Sequence, residues 1–389
     1  MKEVFIVAAK RTPVGGLLGS LSHLSAPQLG ALAIRAALNS SAITQDSVDE
    51  VYMGNVLSAG MGQAPARQAA MFAGIPDTVD ATTVNKVCAS GMKSAIIGAQ
   101  QIALGLSNIV VTGGMESMSN SPHYAWLRRG YKASDTTLTD GMIKDGLWDV
   151  YNNYHMGSAA ELCARTYNIS REAQDEYALS SYRRAVMATE LGRFTDEIVP
   201  VAAAKGDTYI TTDEDIYKLI PEKVSRLKPV FDSDGTVTAA NASNLNDGAA
   251  AIILASAEAV AQYNLKPLAR IAGYADAAGA PEWFTTAPSK AVPAALSRAG
   301  YKMNDIDYFE INEAYAAVAI ANMQLMNIDP ARVNVHGGAV AIGHPLGASG
   351  ARIIATLLTV LRSNSARLGV AAICNGGGGA TAIVVENLL

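Results

Sequence analysis

Apolar residues in this chain fall in short runs that are broken by Gly, Asn or Arg well before about 18 residues, so no segment reads as a membrane span. The runs at 2–8, at Ile109-Val110-Val111, at Gly248 to Leu254, at Val370-Ala371-Ala372-Ile373 and at Ala380 to Val385 read as buried strands. Helical stretches separate them, and strands that alternate with helices predict an α/β fold of mixed, mostly parallel sheets covered by helices. Sheets of this kind take ligands beyond the carboxyl ends of their strands.

The pattern repeats. Ala36-Ala37-Leu38, Asp46-Ser47-Val48-Asp49 and Met53-Gly54-Asn55 recur as Ala294-Ala295-Leu296, Asn304-Asp305-Ile306-Asp307 and Glu310-Ile311-Asn312, each copy reading helix, turn, strand. Farther on, Ala89-Ser90-Gly91 and Ala348-Ser349-Gly350 each open an apolar helical stretch leading to a strand. Two halves of one fold follow from this self-similarity. In the second half the strand ending at Cys374 turns through Asn375-Gly376-Gly377-Gly378-Gly379 straight into the next strand. In the first half, Gly113 and Gly114 are parted from their partner strand by a long excursion, with an amphipathic helix near Arg171 to Glu190. The expected division is therefore 1–118 completed by 246–268, an inserted loop domain at 119–245, and 269–389.

With 389 residues, half of them hydrophobic and only 6% aromatic, the chain has material for two or three close-packed domains. A net charge of −5 supplies no global field for nucleic acid or anionic membranes, so an anionic ligand must meet a local basic patch. Cytoplasm is the expected compartment, because the first strand leaves no room for a leader; a mitochondrial origin with a removed transit peptide is the alternative. Three cysteines do not make a disulfide framework.

Cys88 lies where a strand ends and a helix begins, and the helix N-terminus is expected to lower its pKa and ready the sulfur as a nucleophile. A packed structural cysteine is the alternative. His344, in a Gly-rich turn just before the repeat's counterpart of the Cys88 helix, is the histidine that pseudo-twofold symmetry brings toward Cys88 as a base; a plain turn histidine before Pro345 is the other reading. Cys374 opens a glycine turn whose N–H groups can converge on one point as an oxyanion hole. Asn312 closes a strand and opens a helix, which suits either an N-cap or an amide that holds a water or an oxyanion. Cys163, at helical spacing without Gly or His neighbours, reads as core. No phosphate-binding loop, dinucleotide fingerprint or zinc spacing is present in the sequence.

The segments around Cys88, Asn312, His344 and Cys374, with Gly113-Gly114-Met115-Glu116-Ser117-Met118 as a fifth, resemble the thiolase family from end to end, and within it the acetoacetyl-CoA thiolases. Tyr315 stands where Phe is common. The resemblance implies a five-layered α-β-α-β-α fold, a homotetramer built as a dimer of dimers, and acetyl-CoA C-acetyltransferase activity through an acetyl-Cys88 intermediate; a 3-ketoacyl-CoA thiolase of broader chain length is the alternative. It further implies that His344 takes the proton of Cys88 and that Cys374 deprotonates the second acetyl-CoA. One oxyanion hole is formed by His344 with a water on Asn312, the other by the N–H groups of Cys88 and Gly376. Coenzyme A, a substrate and not a tightly held cofactor, is expected to meet Ser243, His155 and Met156, with Arg226 or Lys223 near its phosphates. Tyr182 and the carbonyls of Ala239, Ala240, Ala242 and Val340 resemble a potassium site. Trp283-Phe284 is expected to crowd the acyl end. Ketoacyl synthases share the cysteine and histidine, but Cys374 favours the thiolases.

Overall fold

The computed structural model describes residues 2–128, 130 and 135–389. The first half runs β1 (Val4–Arg11), α1 (Ala26–Ser41), β2 (Glu50–Gly54), α2 (Pro65–Phe72), β3 (Asp80–Val84), α3 (Ser90–Ala103) and β4 (Ile109–Ser117). Two longer helices, α4 (Met156–Thr166) and α5 (Arg171–Glu190), precede β5 (Asn246–Ser256). The second half follows as β6 (Ala269–Ala278), α6 (Pro288–Ala299), β7 (Tyr308–Ile311), α7 (Ala316–Met326), α8 (Leu346–Ser363), β8 (Leu368–Asn375) and β9 (Gly379–Asn387).

The strands line up in the order β7-β8-β9-β6-β1-β5-β4-β2-β3, and Gly15–Gly16 adds a short tenth strand beside β5. Read outward from its centre, the order is the same in each half: β1-β5-β4-β2 on one side, β6-β9-β8-β7 on the other. Even the irregularities agree, since the β1 ladder slips between Ile6 and Ala8 and the β6 ladder between Ile271 and Gly273. An isolated parallel bridge from Phe309 to Val333 stands where β2 pairs with β3. With Ile6 and Ile271 as equivalents, the registers make Met115 the counterpart of Cys374 and Gly54 the counterpart of Asn312. The match of Asn55 to Asn312 expected from residue type is thus one position out, because the ladders set the true phase.

The expectation of mostly parallel sheets is corrected. Only β2–β3, β2–β4 and β7–β8 run parallel; β1–β5, β4–β5, β1–β6, β6–β9 and β8–β9 are antiparallel. Helical crossovers make parallel neighbours, whereas β9 returns through a four-glycine turn and β5 through the long excursion, and both reverse direction. Asp247 pairs with Ser117, so the segment between β4 and β5 departs and returns at one place on the sheet.

Alternation along the strands produces the layers. Ile109, Val111 and Ile253 pack with α1 and α2 on one face, while Val110, Leu254 and Ile252 pack with α3 and α8 on the other. Across that central helical layer lie Ala371, Ile373, Ile383 and Val385; Val370, Ala372 and Val384 turn instead to α6 and α7. The result is five layers, α-β-α-β-α. The central helices approach to backbone contact: a Cβ at Gly91 would lie 2.8 Å from the Gly347 oxygen, and one at Gly350 would lie 2.4 Å from the Met92 nitrogen. The repeated Ser-Gly pairs therefore meet where α3 and α8 begin, which brings the turns before them together.

Candidate active site

Cys88 ends a turn whose backbone is strained. Val87 has φ +47°, a left-handed conformation that costs a β-branched residue roughly 1–3 kcal/mol. Ser90 ties the turn down, accepting from the Lys86 nitrogen at 2.8 Å and donating to the Val87 oxygen at 2.6 Å. Asn85 Oδ1 accepts from the Val87 nitrogen at 3.0 Å. The helix starts at Ser90, two residues beyond Cys88.

The expected low pKa of Cys88 is corrected by its surroundings. Only 9% of the residue is exposed, and burial pushes the thiol up to about 12, although the Gly376 N–H and its own N–H pull the other way. Cys88 therefore rests as a thiol and needs a base to release its proton. Cys374 lies at the end of β8 and is fully buried; burial carries its pKa well up, and the nearby Cys88 sulfur raises it further. Around Cys374 pack Met156, Phe284, Ala314, Tyr315 and Val318.

His344 is the buried base available here. Its Nδ1 lies 2.6 Å from Ser349 Oγ, its Nε2 is buried without a partner, and its backbone N–H donates to Asn246 Oδ1 at 2.9 Å. Burial pulls its pKa down to about 3, aided by the Arg352 guanidinium, so the imidazole is neutral near pH 7. Asn312 Nδ2 is 3.5 Å from Nδ1, and Asn312 Oδ1 is buried without a partner. The capping alternative for Asn312 is excluded, since α7 begins at Ala316 with Tyr315 in the N-cap position.

A cavity of about 340 Å³ has His344 and Tyr315 on its walls beside Met118, His155, Phe231, Ser243 and Leu346, and Tyr315 also borders the two thiols. His155 also caps α4, its Nδ1 accepting from Gly157 N at 3.0 Å, and its ring stacks on Phe231 with centroids 4.7 Å apart. A second cavity of about 520 Å³ shares Ala239, Asn244 and Leu245 with the first and carries Lys218 and Lys223. Lys218 is already held by Glu214 and Asp215, at 2.7 and 2.8 Å. Met156 lines a separate recess with Val87 and Gly376, and Arg226 lies on none of these walls. Trp283 packs edge-on against Tyr167, so of the Trp283-Phe284 pair only Phe284 reaches the Cys374 cluster.

Tyr182, Ala239 and Ala240 face the second cavity and Ala242 the first, while Val340 packs beside Tyr182 in a buried cluster. Among the described residues no N–H or O–H donates to the carbonyls of Ala239, Ala240 or Ala242, and oxygen-only donors of this kind suit a hard monovalent cation. Cys163 is fully buried in an apolar cluster, as expected. Ser349 and Asn246 carry no role in the sequence reading, whereas Phe284 is the half of the Trp283-Phe284 pair that the structure brings to Cys374. A signal existed for Ser349, which repeats Ser90 at the equivalent helix start.

Two family models match the chain: "Thiolase, N-terminal domain" over residues 4–258 and "Thiolase, C-terminal domain" over residues 265–387. Acetyl-CoA acetyltransferase 2 of Arabidopsis thaliana is 55% identical, over 100% of this chain and 98% of its own. Acetyl-CoA acetyltransferase ERG10, cytosolic, of Gibberella zeae is 54% identical, over 100% and 99%. The crystal structure of the Acat5 thiolase from Ascaris suum in complex with coenzyme A superposes with a TM-score of 0.96 at 46% identity, covering 100% of both chains.

Proposed function

This chain belongs to the thiolase family, and on that premise we propose that it is an acetyl-CoA C-acetyltransferase, joining two acetyl-CoA to acetoacetyl-CoA and coenzyme A and running the reverse thiolysis. The observation that carries the reading is the pair of neighbouring buried thiols, Cys88 and Cys374, beside Tyr315, which shares a cavity with a neutral histidine, His344, whose buried Nε2 has no partner. One thiol carries the acyl group and the other moves a carbon-bound proton.

In this mechanism Nε2 of His344 takes the Cys88 proton and the thiolate attacks the thioester carbon. Coenzyme A leaves with the proton of Cys374. The Cys374 thiolate then removes a proton from the methyl group of a second acetyl-CoA, and the carbanion attacks acetyl-Cys88. Cys88 is expelled and recovers its proton from His344, so every group returns to its starting state. While His344 holds that proton, its Nε2–H faces the enolate oxygen, assisted by a water on Asn312. The N–H groups of Cys88 and Gly376 face the oxyanion of the acetyl group. The thiol pKa near 12 and the imidazole pKa near 3 make the first transfer uphill at rest. Substrate binding and oxyanion contacts must supply that difference.

Segment 119–245 is assigned to coenzyme A binding. The 340 Å³ cavity, apolar and reaching His344, suits the pantetheine, and the adjoining cavity with Lys223 suits the phosphates. Arg226 has no support in that role. A potassium ion held by Tyr182 with the carbonyls of Ala239, Ala240, Ala242 and Val340 would brace the loop that carries Ser243. Assembly as a dimer of dimers accounts for the outer edge of β3 and for the exposed Trp126, Leu127 and Leu138. A cytosolic location follows the Gibberella zeae relative, and among the described residues no helix is long and apolar enough to cross a membrane. The test is direct: purified protein given acetyl-CoA must gain an acetyl adduct by intact-protein mass spectrometry and release acetoacetyl-CoA. Absence of both refutes the reading.

A further inference from the structure

Asp276 lies on β6 in the second half, paired in register with Thr381 of β9, and β9 is the strand that returns from the Gly376 turn. Its carboxylate grips the first half twice. Oδ1 accepts from Lys86 Nζ at 2.5 Å and Oδ2 from Lys93 Nζ at 2.6 Å. The fully buried Thr381 completes the cluster, donating to Asp276 Oδ1 at 2.8 Å and lying 2.8 Å from Lys86 Nζ.

Those two lysines bracket the turn that carries Cys88. Lys86 stands two residues before the thiol, Lys93 lies in the first turn of α3, and between them Val87 holds its left-handed backbone. A strained turn relaxes unless its surroundings fix it. Ser90 and Asn85 fix it locally, but neither sets its distance from the other half of the chain, where the Gly376 N–H faces the Cys88 thiol. Asp276 does, because it sits on the strands neighbouring the Gly376 turn and pulls both ends of the Cys88 turn toward them. We propose that Asp276 is a positioning residue for the nucleophile, acting through Lys86 and Lys93 to hold the strained Cys88 turn against the Gly376 N–H.

The clamp is ionic at every pH at which the protein is assayed. Burial alone would raise the Asp276 pKa, but the bonds from Lys86, Lys93 and Thr381 outweigh it and hold the carboxyl at about 2. Asp276→Asn therefore removes the charge at nearly constant shape, and Asp276→Glu keeps it. Lys86→Met, with the Lys86 side chain a quarter exposed, tests the other partner without opening the core.

The inference rests on the proposed role of Cys88, and the experiment separates the two. The rate of acetyl-enzyme formation at saturating acetyl-CoA, kcat and KM for acetoacetyl-CoA thiolysis, and the thermal midpoint are measured on wild type, Asp276→Asn, Asp276→Glu and Lys86→Met. Misplacement of a reacting atom by a fraction of an ångström lowers acylation and kcat by roughly 10- to 100-fold, with KM nearly unchanged. Asp276→Glu recovers part of the loss. Wild type that fails to acetylate refutes the thiolase reading itself. Wild type that acetylates, with folded Asp276→Asn and Lys86→Met doing so equally fast, overturns the clamp. So does a drop in thermal midpoint with the acylation rate per folded molecule intact, which would mark Asp276 as structural only.

Discussion

His344 Nδ1 and Ser349 Oγ lie 2.6 Å apart, and the same hydroxyl lies 2.8 Å from the Pro345 carbonyl oxygen. A carbonyl only accepts, so the Ser349 proton goes to Pro345 and the imidazole must donate from Nδ1. That fixes the tautomer. Nε2 then carries the lone pair, and it is the nitrogen without a partner.

Ser349→Ala removes this control while leaving Cys88, Cys374 and the helix start in place. The expected outcome is a fall in acylation rate of roughly 10- to 100-fold, because part of the His344 population turns its proton toward Cys88. Stopped-flow measurement of coenzyme A release in the first turnover reads it. A wild-type burst rate in the variant would remove Ser349 from the mechanism.

The five layers were legible because the repeat is written in residue types that pack: Ala-Ser-Gly at 89–91 and 348–350 marks the two central helices where they touch. Strand direction was not. Alternating strands and helices suggest parallel neighbours, and only the ladders reveal how the long excursion and the glycine turn reverse β5 and β9. Within the candidate site, Cys88, His344 and Cys374 stand out in the sequence through their turns and bulk chemistry. Their protonation was misread for Cys88, since a helix N-terminus is visible in sequence while burial is not; burial decides the sign. Asn246 was invisible for a similar reason: it lies far along the chain from His344, from whose backbone N–H it accepts, and belongs to no turn that announces chemistry.

The roles proposed for the two buried cysteines separate by experiment. Cys88→Ala abolishes every activity, because no acyl-enzyme forms. Cys374→Ala keeps the acetyl adduct but lowers condensation by roughly 10²- to 10⁴-fold or more, the range of a positioned general base. Both are read on one preparation, by intact-protein mass spectrometry and by acetoacetyl-CoA absorbance, with circular dichroism as the check on folding. Near-normal condensation by Cys374→Ala would exclude it as the base.

Acid stability carries the signature of His344. Its native pKa is about 3, and an unfolded histidine titrates near 6.5. Between those values the unfolded chain binds a proton that native His344 refuses, so stability falls as pH drops from about 6.5 toward 3, by up to about 1.4 kcal/mol per pH unit for this one group. His344→Gln lacks the effect. Thermal midpoints at pH 7, 6, 5 and 4 should converge for the two proteins relative to their gap at pH 7. His155 and His336, also lowered by burial, cancel in the difference. Parallel curves would mean that His344 takes up its proton in the native state.

The potassium site proposed at the unclaimed carbonyls of Ala239, Ala240 and Ala242 beside Tyr182 makes potassium dependence the expected outcome. Thiolysis in potassium buffer should exceed that in sodium buffer of the same ionic strength, and Tyr182→Phe should reduce the difference. Equal rates in the two buffers rule out activation.

Chain length is decided around Cys374. Met156, Phe284, Ala314, Tyr315 and Val318 close on that thiol, with Phe284 only 2% exposed, so little room is left for an acyl tail beyond the carbons that react. Each methylene that must be forced into a filled pocket costs about 1–3 kcal/mol in the transition state, or roughly 10- to 200-fold in rate. Acetoacetyl-CoA should therefore be cleaved faster than 3-ketohexanoyl-CoA by at least the lower figure. Phe284→Ala, which opens space on the Cys374 side, should narrow the ratio chiefly by improving the longer substrate. Trp283→Ala should leave the ratio alone, since that ring lies against Tyr167 with centroids 6.3 Å apart. The measurement is kcat/KM for both substrates on the wild type and the two variants. A wild type that prefers 3-ketohexanoyl-CoA would replace the acetoacetyl assignment with a thiolase of broader range, and a Trp283→Ala variant that shifts the ratio would move the specificity wall from Phe284 to its neighbour.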